Sequence, residues 1–162
     1  MDYLDQQILM KLKENARQSA SDISKEIHLS VSTVIDRIRK MESSGVIESY
    51  TVITDEKKTG NDVTALMEIS LDQPRYNELF IENIKKNPNI ISCYYLTGEF
   101  DYLLKIACQS SEHLEQIHHW IKDQGGVRQT RTHYVLRTEK NIYSLPIFLY
   151  RKQKSNNRKG FL

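Results

Sequence analysis

Between positions 30 and 40 the chain places Ser30, Ser32, Thr33, Asp36, Arg37, Arg39 and Lys40 around the apolar residues Val34 and Ile38. On a helix of 3.6 residues per turn, Val34, Ile38 and Met41 form one stripe. Ser32, Thr33, Asp36, Arg37 and Lys40 lie mostly opposite it, with Arg39 at the margin. Small hydroxyl residues at a helix start let the backbone approach a polyanion closely. The cations behind them can reach phosphates or base edges. Asp36 and Glu42 share the segment, so the competing reading is a solvated face on an ordinary helical bundle.

A second group combines Thr97, Gly98 and Asp101 with Thr130 and Thr132. A glycine lets a ligand reach backbone N–H and C=O groups. Asp101 can accept from an α-ammonium, and the threonines can donate to a carboxylate. Taken alone, Gly98 and Asp101 fit plain hairpin chemistry better. Cys93 and Cys108 are the only cysteines and form no CxxC pair. They read as two buried free thiols rather than a disulfide or metal site. His113, His118 and His119 share a predicted helix, but 118 and 119 point apart and lack ligands at metal spacing. The chain has no GxxxxGK loop and no GxSxG elbow, which argues against an enzyme. No cofactor or metal is implied.

The elements that must position these groups fall into two sets. In the first, residues 5–16 carry Ile8, Leu9, Leu12 and Ala16 on one stripe. Ser19 with Asp22 resembles a capping box opening a short helix to about Ile27. After His28 and Leu29, Ser30 caps a helix over 31–44, and Gly45 suits its left-handed stop. A short helix, a tight turn and a helix with small polar residues at its start make the helix-turn-helix pattern. The β-branched and aromatic run 46–53 predicts a strand as a wing. Polar residues 55–62, with Gly60, suit a hinge.

In the second set, strands are predicted over 64–71, 90–97, 102–108 and 127–137. One helix runs over 74–87 and buries Tyr76, Leu79, Phe80 and Ile84. Another begins at Ser110 or Ser111 with Leu114, Ile117 and Ile121 inward. This βαββαβ order predicts a ferredoxin-like sandwich with both helices on one face. The fold class is α+β, with domains at 1–54 and 63–142, a hinge between them and a basic extension at 143–162. Apolar residues occur at both parities of the middle strands: Ile91, Cys93 and Tyr95 alternate with Tyr94 and Leu96. A sheet apolar on both faces predicts subunit association, as a homodimer or a higher assembly.

The chain has 162 residues, 39% hydrophobic and 27% charged, enough to bury a core. Its longest apolar runs cannot span a bilayer, and the N-terminus lacks signal-peptide character, so a cytoplasmic protein without membrane partners is expected. The net charge of +2 is uneven. Residues 1–55 hold seven Lys or Arg against nine Asp or Glu, while the last twelve hold five cations and no acid. Nucleic-acid affinity in the first segment must therefore come from a local cluster.

Leu4-Asp5-x-x-Ile8-Leu9, Asn15-Ala16-Arg17, Leu29-Ser30-x-Ser32-x-Val34-x-x-Arg37-Ile38 and Glu42-x-x-Gly45-Val46-Ile47 resemble the Lrp/AsnC regulators. So do Tyr94-x-x-Thr97-Gly98-x-Phe100-Asp101-Tyr102-Leu103-Leu104-Lys105, Gly126-Val127 and Arg131-Thr132. The resemblance covers about residues 2–140 and rests on the order and spacing of these pieces together. It implies a winged helix-turn-helix that binds double-stranded DNA and an amino-acid-sensing regulatory domain. It further implies dimers that assemble, often to octamers, with an effector amino acid held between dimers near Thr97, Gly98, Phe100 and Asp101. His28 stands where the family often has Gly, and His133-Tyr134 where residues are often small or hydroxylated. The alternative is a ligand-sensing or RNA-binding ferredoxin-like module, with Tyr94, Tyr95 and Tyr102 as stacking candidates.

Overall fold

Each helix of the N-terminal unit begins where a side chain captures an orphan N–H. In α1 (Tyr3–Glu14) Asp2 and Asp5 cap each other: the Asp5 N–H donates to Asp2 at 2.9 Å and the Asp2 N–H to Asp5 at 2.7 Å. Ser19 accepts from the Asp22 N–H at the start of α2 (Ala20–Ile27). Ser30 accepts from the Thr33 N–H at the start of α3 (Val31–Ser43). The turn between α2 and α3 requires a left-handed residue, and His28 supplies it at φ 56°. The computed structural model describes residues 1–141 and 147. Residues 1–141 divide into two compact units, 1–52 and 53–141.

Ile8, Leu12, Ile23, Val34 and Met41 form the core of the first unit, with Leu9, Ile27, Leu29, Ile38 and Ile47 packed around them. Each fully buried aliphatic side chain contributes roughly 1.5–3 kcal/mol. The predicted α1 stripe is one turn too long. Ala16 is exposed because the helix stops at Asn15, which is extended (φ −151°) while its N–H still bonds Lys11.

The strand predicted over 46–53 does not form. Gly45 turns left-handed at φ 72°, and the N–H groups of Val46 and Ile47 both return to the Met41 carbonyl. They finish α3 instead of entering a ladder. Val52 and Ile53 are exposed. β-branched composition makes a strand only where a partner strand exists, and among the described residues this segment has none.

The second unit is a four-stranded antiparallel sheet in the order β2-β3-β1-β4. Its elements are β1 (Val63–Leu71), α4 (Asn77–Lys86), β2 (Ile90–Tyr95), β3 (Tyr102–Cys108), α5 (Ser111–Lys122) and β4 (Val127–Tyr134). Pro74–Tyr76 forms a single 3-10 turn before α4. The order is that of the expected ferredoxin-like sandwich. Alternate residues of β1 and β3 (Val63, Ala65, Met67, Ile69; Tyr102, Leu104, Ile106, Cys108) meet Phe80 and Ile84 of α4 and Ile117 and Ile121 of α5. Both helices therefore cover the same face.

Four details depart from expectation. β2 stops at Tyr95 and β4 at Tyr134. The Val135 N–H makes its bond to Thr64, one residue from the start of β1, so the ladder ends there. A register shift between Ile90 and Ser92 leaves Ile91 out of the β2–β3 pairing, while Cys93 and Tyr95 keep one face, opposite Leu104 and Tyr102, and Tyr94 the other, opposite Leu103. Leu79 is exposed, since α4 turns Phe80 and Ile84 inward. Cys93 is exposed and only Cys108 is buried, because β2 is an edge strand.

Residues 55–62 include an organised turn on the second unit. Asp55 accepts from the N–H groups of Lys57 and Lys58, and Glu56 binds Lys105 and Thr64, each at 3.1 Å. The apolar run and basic segment beyond residue 141 lie outside the described residues, apart from Ile147.

Candidate DNA-reading helix and effector turn

The helix-turn-helix face is carried by α3. Val34 and Met41 are buried, Ile38 is half-buried, and Ser32, Asp36, Arg39 and Lys40 are exposed. The first turn of α3 contains no acidic residue. Its opening is instead a cluster of hydroxyls, with Ser30 bonded to both Ser32 (3.1 Å) and Thr33 (2.7 Å). Hydroxyls and N–H groups at a positive helix end favour a phosphate oxygen.

Arg37 behaves differently from its neighbours. Its Nη1 donates to Asp2 at 2.7 Å and to Asp5 at 2.6 Å. With the Asp5 N–H and this guanidinium as donors, the Asp2 carboxyl is held down at about 2. Glu42, near the end of α3, accepts from the Tyr50 hydroxyl at 2.9 Å, which straps the following loop to the helix.

The second candidate site is the turn between β2 and β3. Gly98 has φ 131°, and a Cβ there would meet open space, so the position is accessible but conformationally demanding. Asp101 is tied to β1: its N–H donates to the Ile69 carbonyl at 2.9 Å, and its carboxylate accepts from the Leu71 N–H at 2.7 Å. The Ser70 hydroxyl donates to the Glu99 carbonyl. Phe100 is buried under the Arg131 guanidinium, 4.6 Å from its ring centroid. Arg131 lies 3.7 Å from Glu68 and 3.5 Å from Glu99. Arg131 was not among the sequence candidates. Its role depends on the β1–β4 register, which sets it opposite Glu68.

The expected effector residues separate into two groups. Thr97, Gly98, Phe100 and Asp101 share the turn, and Arg131, which covers it, lies on the sheet face away from the helices. Thr130 and Thr132 stand opposite Ile69 and Met67, on the helix-covered face. There they line an open concavity of about 380 Å³ with Ser111, Leu114, Glu115 and His118. His118 and Thr130 share a hydrogen bond of 3.0 Å. Burial lowers the His118 pKa below its ordinary value, with Lys122 and His119 acting in the same direction and Glu115 against it.

The tyrosines do not form a stacking platform. Tyr102 is buried between Phe80 and Tyr95, each ring 5.2 Å away, and only Tyr94 of the three faces away from the helices.

Comparison with known proteins accounts for both units. Residues 1–48 match the family model for a winged helix-turn-helix DNA-binding domain, and residues 64–145 that for the Lrp/AsnC ligand binding domain. The chain belongs to the Lrp/AsnC family. It is 34% identical over 147 residues to the HTH-type transcriptional regulator FL11 of Pyrococcus horikoshii, covering 91% of this chain and 97% of that one. It is 37% identical over 150 residues to the transcriptional regulator AzlB of Bacillus subtilis, covering 91% and 96%. Two solved Lrp/AsnC-like structures superpose closely. One is a Neisseria meningitidis transcriptional regulator in complex with L-Met (TM-score 0.84, 27% identity, 90% of this chain and 96% of that one). The other is Escherichia coli AsnC (TM-score 0.83, 25% identity, 90% and 99%). As an Lrp/AsnC protein the chain is a DNA-binding transcriptional regulator that carries a ligand-binding domain. No described helix is long and apolar enough to cross a membrane.

Proposed function

We propose that this regulator reads double-stranded DNA through the exposed face of α3 and is modulated by a free amino acid at the Gly98–Asp101 turn. The observation that carries the reading is the union, in one chain, of an acid-free, hydroxyl-lined α3 start with a glycine turn whose Cα is open to approach. Ser30, Ser32 and Thr33 sit against the phosphates, and Arg39 and Lys40 supply charge. Asp36, level with them, selects by hydrogen bonding or repulsion. The effector's α-ammonium is assigned to Asp101 and its carboxylate to N–H groups near Gly98. Thr130 and Thr132 stand apart on the helix face and are assigned a secondary role through His118. The named relatives are transcriptional regulators, and the chain is read as a cytoplasmic, non-enzymatic protein with no cofactor other than the effector.

The protein is further assigned a homodimeric unit that assembles to a higher oligomer such as an octamer. Leu66, opposite Lys105, and Leu103, opposite Glu68 and Tyr94, lie diagonally on the uncovered sheet face and support that assignment together with exposed Tyr94. Effector bound between dimers shifts the assembly equilibrium and hence DNA occupancy.

The test is selection of genomic fragments by the purified protein with and without each free amino acid, followed by titration of a selected duplex. Arg39→Ala and Lys40→Ala should each weaken binding to selected and random duplexes alike. Each should reduce the slope of log K against the logarithm of salt concentration by about one, the share of a single neutralised phosphate. Unchanged slopes in both variants would remove α3 from the interface. An assembly state that ignores every amino acid would remove the effector assignment.

A further inference from the structure

We propose that Arg37 is a positioning residue: it fixes α3 against α1 through Asp2 and Asp5, and it presents the DNA-reading face without itself touching DNA. This rests on the DNA-reading role of α3 given above.

The geometry is a closed network. Asp2 and Asp5 together offer four carboxylate oxygens, and each receives one donor. Asp2 Oδ1 takes the Asp5 N–H and Asp5 Oδ2 takes the Asp2 N–H, which is the reciprocal cap of α1. The other two, Asp2 Oδ2 and Asp5 Oδ1, both take Arg37 Nη1. The start of α1 and the middle of α3 are thus joined in one directional array.

The array supplies what the apolar core does not. Ile8, Leu12, Val34 and Met41 hold the helices together, but the hydrophobic driving force between them is non-directional. Charge-assisted hydrogen bonds have preferred directions and resist rotation of α3 about its own axis. The two pairs are unequal. The Asp2 side chain is 57% exposed, so its pair with Arg37 is screened. The Asp5 side chain is 9% exposed and that of Arg37 is 25%. A carboxylate so enclosed requires its partner, because its water has been removed. Asp5 is therefore the anchor and Asp2 the auxiliary.

Two rival roles predict different signs. If Arg37 touched a phosphate, its removal would weaken binding to any duplex and lower the salt slope. If the cluster acted only through bulk charge, removing a carboxylate near the reading face would tighten DNA binding. Positioning predicts that removing Asp5's charge weakens selective binding even though the local charge becomes more positive.

The experiment compares the full chain with Arg37→Met, Asp5→Asn and the double variant, each titrated over a salt series. The probes are one duplex selected on the wild-type protein and one random duplex; thermal unfolding of each variant is followed alongside. Expected are losses of about tenfold on the selected duplex for both single variants. Affinity for the random duplex and the salt slope should stay unchanged, and the double variant should be no worse than either single. A slope lower by about one with equal loss on both duplexes in Arg37→Met overturns the proposal. So does wild-type or tighter selective binding by Asp5→Asn. If Arg37→Met does not fold, Asp5→Asn alone decides, since it keeps the guanidinium. If the wild-type protein selects no duplex, the DNA reading fails separately. The network is then judged by the coupling between positions 5 and 37 in thermal unfolding, and its absence overturns the proposal.

Discussion

Gly126 shows how one residue can be dictated by both its backbone and its neighbour. It sits at φ 87°, and a Cβ there would fall 2.2 Å from Cγ of Tyr76. The ring also carries the Arg75 guanidinium, 4.9 Å from its centroid. The Gly126 carbonyl also accepts from the Asp72 N–H at 2.8 Å, so the turn cannot move away without losing a bond to the end of β1. Left-handed strain and overpacking each cost on the order of 1–2 kcal/mol. Gly126→Ala should therefore lower unfolding free energy by at least about 2 kcal/mol in urea titration. A midpoint within error of wild type would show that Tyr76 swings aside freely. Gly98 is the contrast: its φ is as unusual, but a methyl group there meets nothing, so its glycine serves conformation and access. In the sequence the two look alike, since each is a glycine between predicted elements; only Tyr76, brought in by the 3-10 turn, separates them.

At the scale of elements, α5 and β4 are joined by a titratable pair. His118 shares a hydrogen bond with Thr130, and burial disfavours its charged form, so its pKa is lower in the folded chain than in the unfolded one. For a histidine with a depressed folded value, the unfolded chain binds the proton more readily. Its stabilising contribution is then complete above the unfolded value of about 6.5 and declines as pH falls below it. Urea midpoints of the wild-type protein should drop between about pH 7 and pH 5, and His118→Gln should flatten that part of the profile. An identical pH profile in the variant would refute the assignment. Much at this scale was legible in the sequence: the five α-helices of the described residues, their Ser19 and Ser30 caps, and the antiparallel βαββαβ order follow from periodicity and from turn residues. What was not legible depends on partners distant in the chain. The run 46–53 has strand composition and no strand partner. Ile91 drops out of the β2–β3 pairing at a register shift no local pattern records. The joint site of Arg131, Glu68 and Phe100 exists only once β4 is set beside β1. The exposed polar face of α3 was legible as residue types, but the capture of Arg37 by Asp2 and Asp5 joins positions more than thirty residues apart.

For the whole molecule the balance of charge decides how DNA can be held. Residues 1–55 carry two more acids than bases, nine against seven. With Arg37 committed to two carboxylates, Arg39 and Lys40 are the exposed cations of α3. On the proposed reading, two cations facing phosphates on each head give weak, salt-sensitive binding. Useful occupancy then requires several heads on one DNA, where linked binding multiplies affinity without any change in the heads themselves. In the assembly proposed above, the surface that gathers them is the sheet face opposite α4 and α5. Leu66 and Leu103 lie there near the paired charges Glu68–Arg131 and Glu56–Lys105. Leu66→Glu with Leu103→Glu would place two carboxylates on that face while leaving the helix-side core of Met67, Leu104 and Ile106 intact. The expected result is a smaller assembly by sedimentation equilibrium at unchanged helical circular dichroism. Affinity for a multi-site duplex should fall far more than affinity for a single-site duplex, by roughly tenfold or more. Equal losses on the two duplexes would mean that the heads bind independently. An unchanged assembly size would place the subunit interface on another surface.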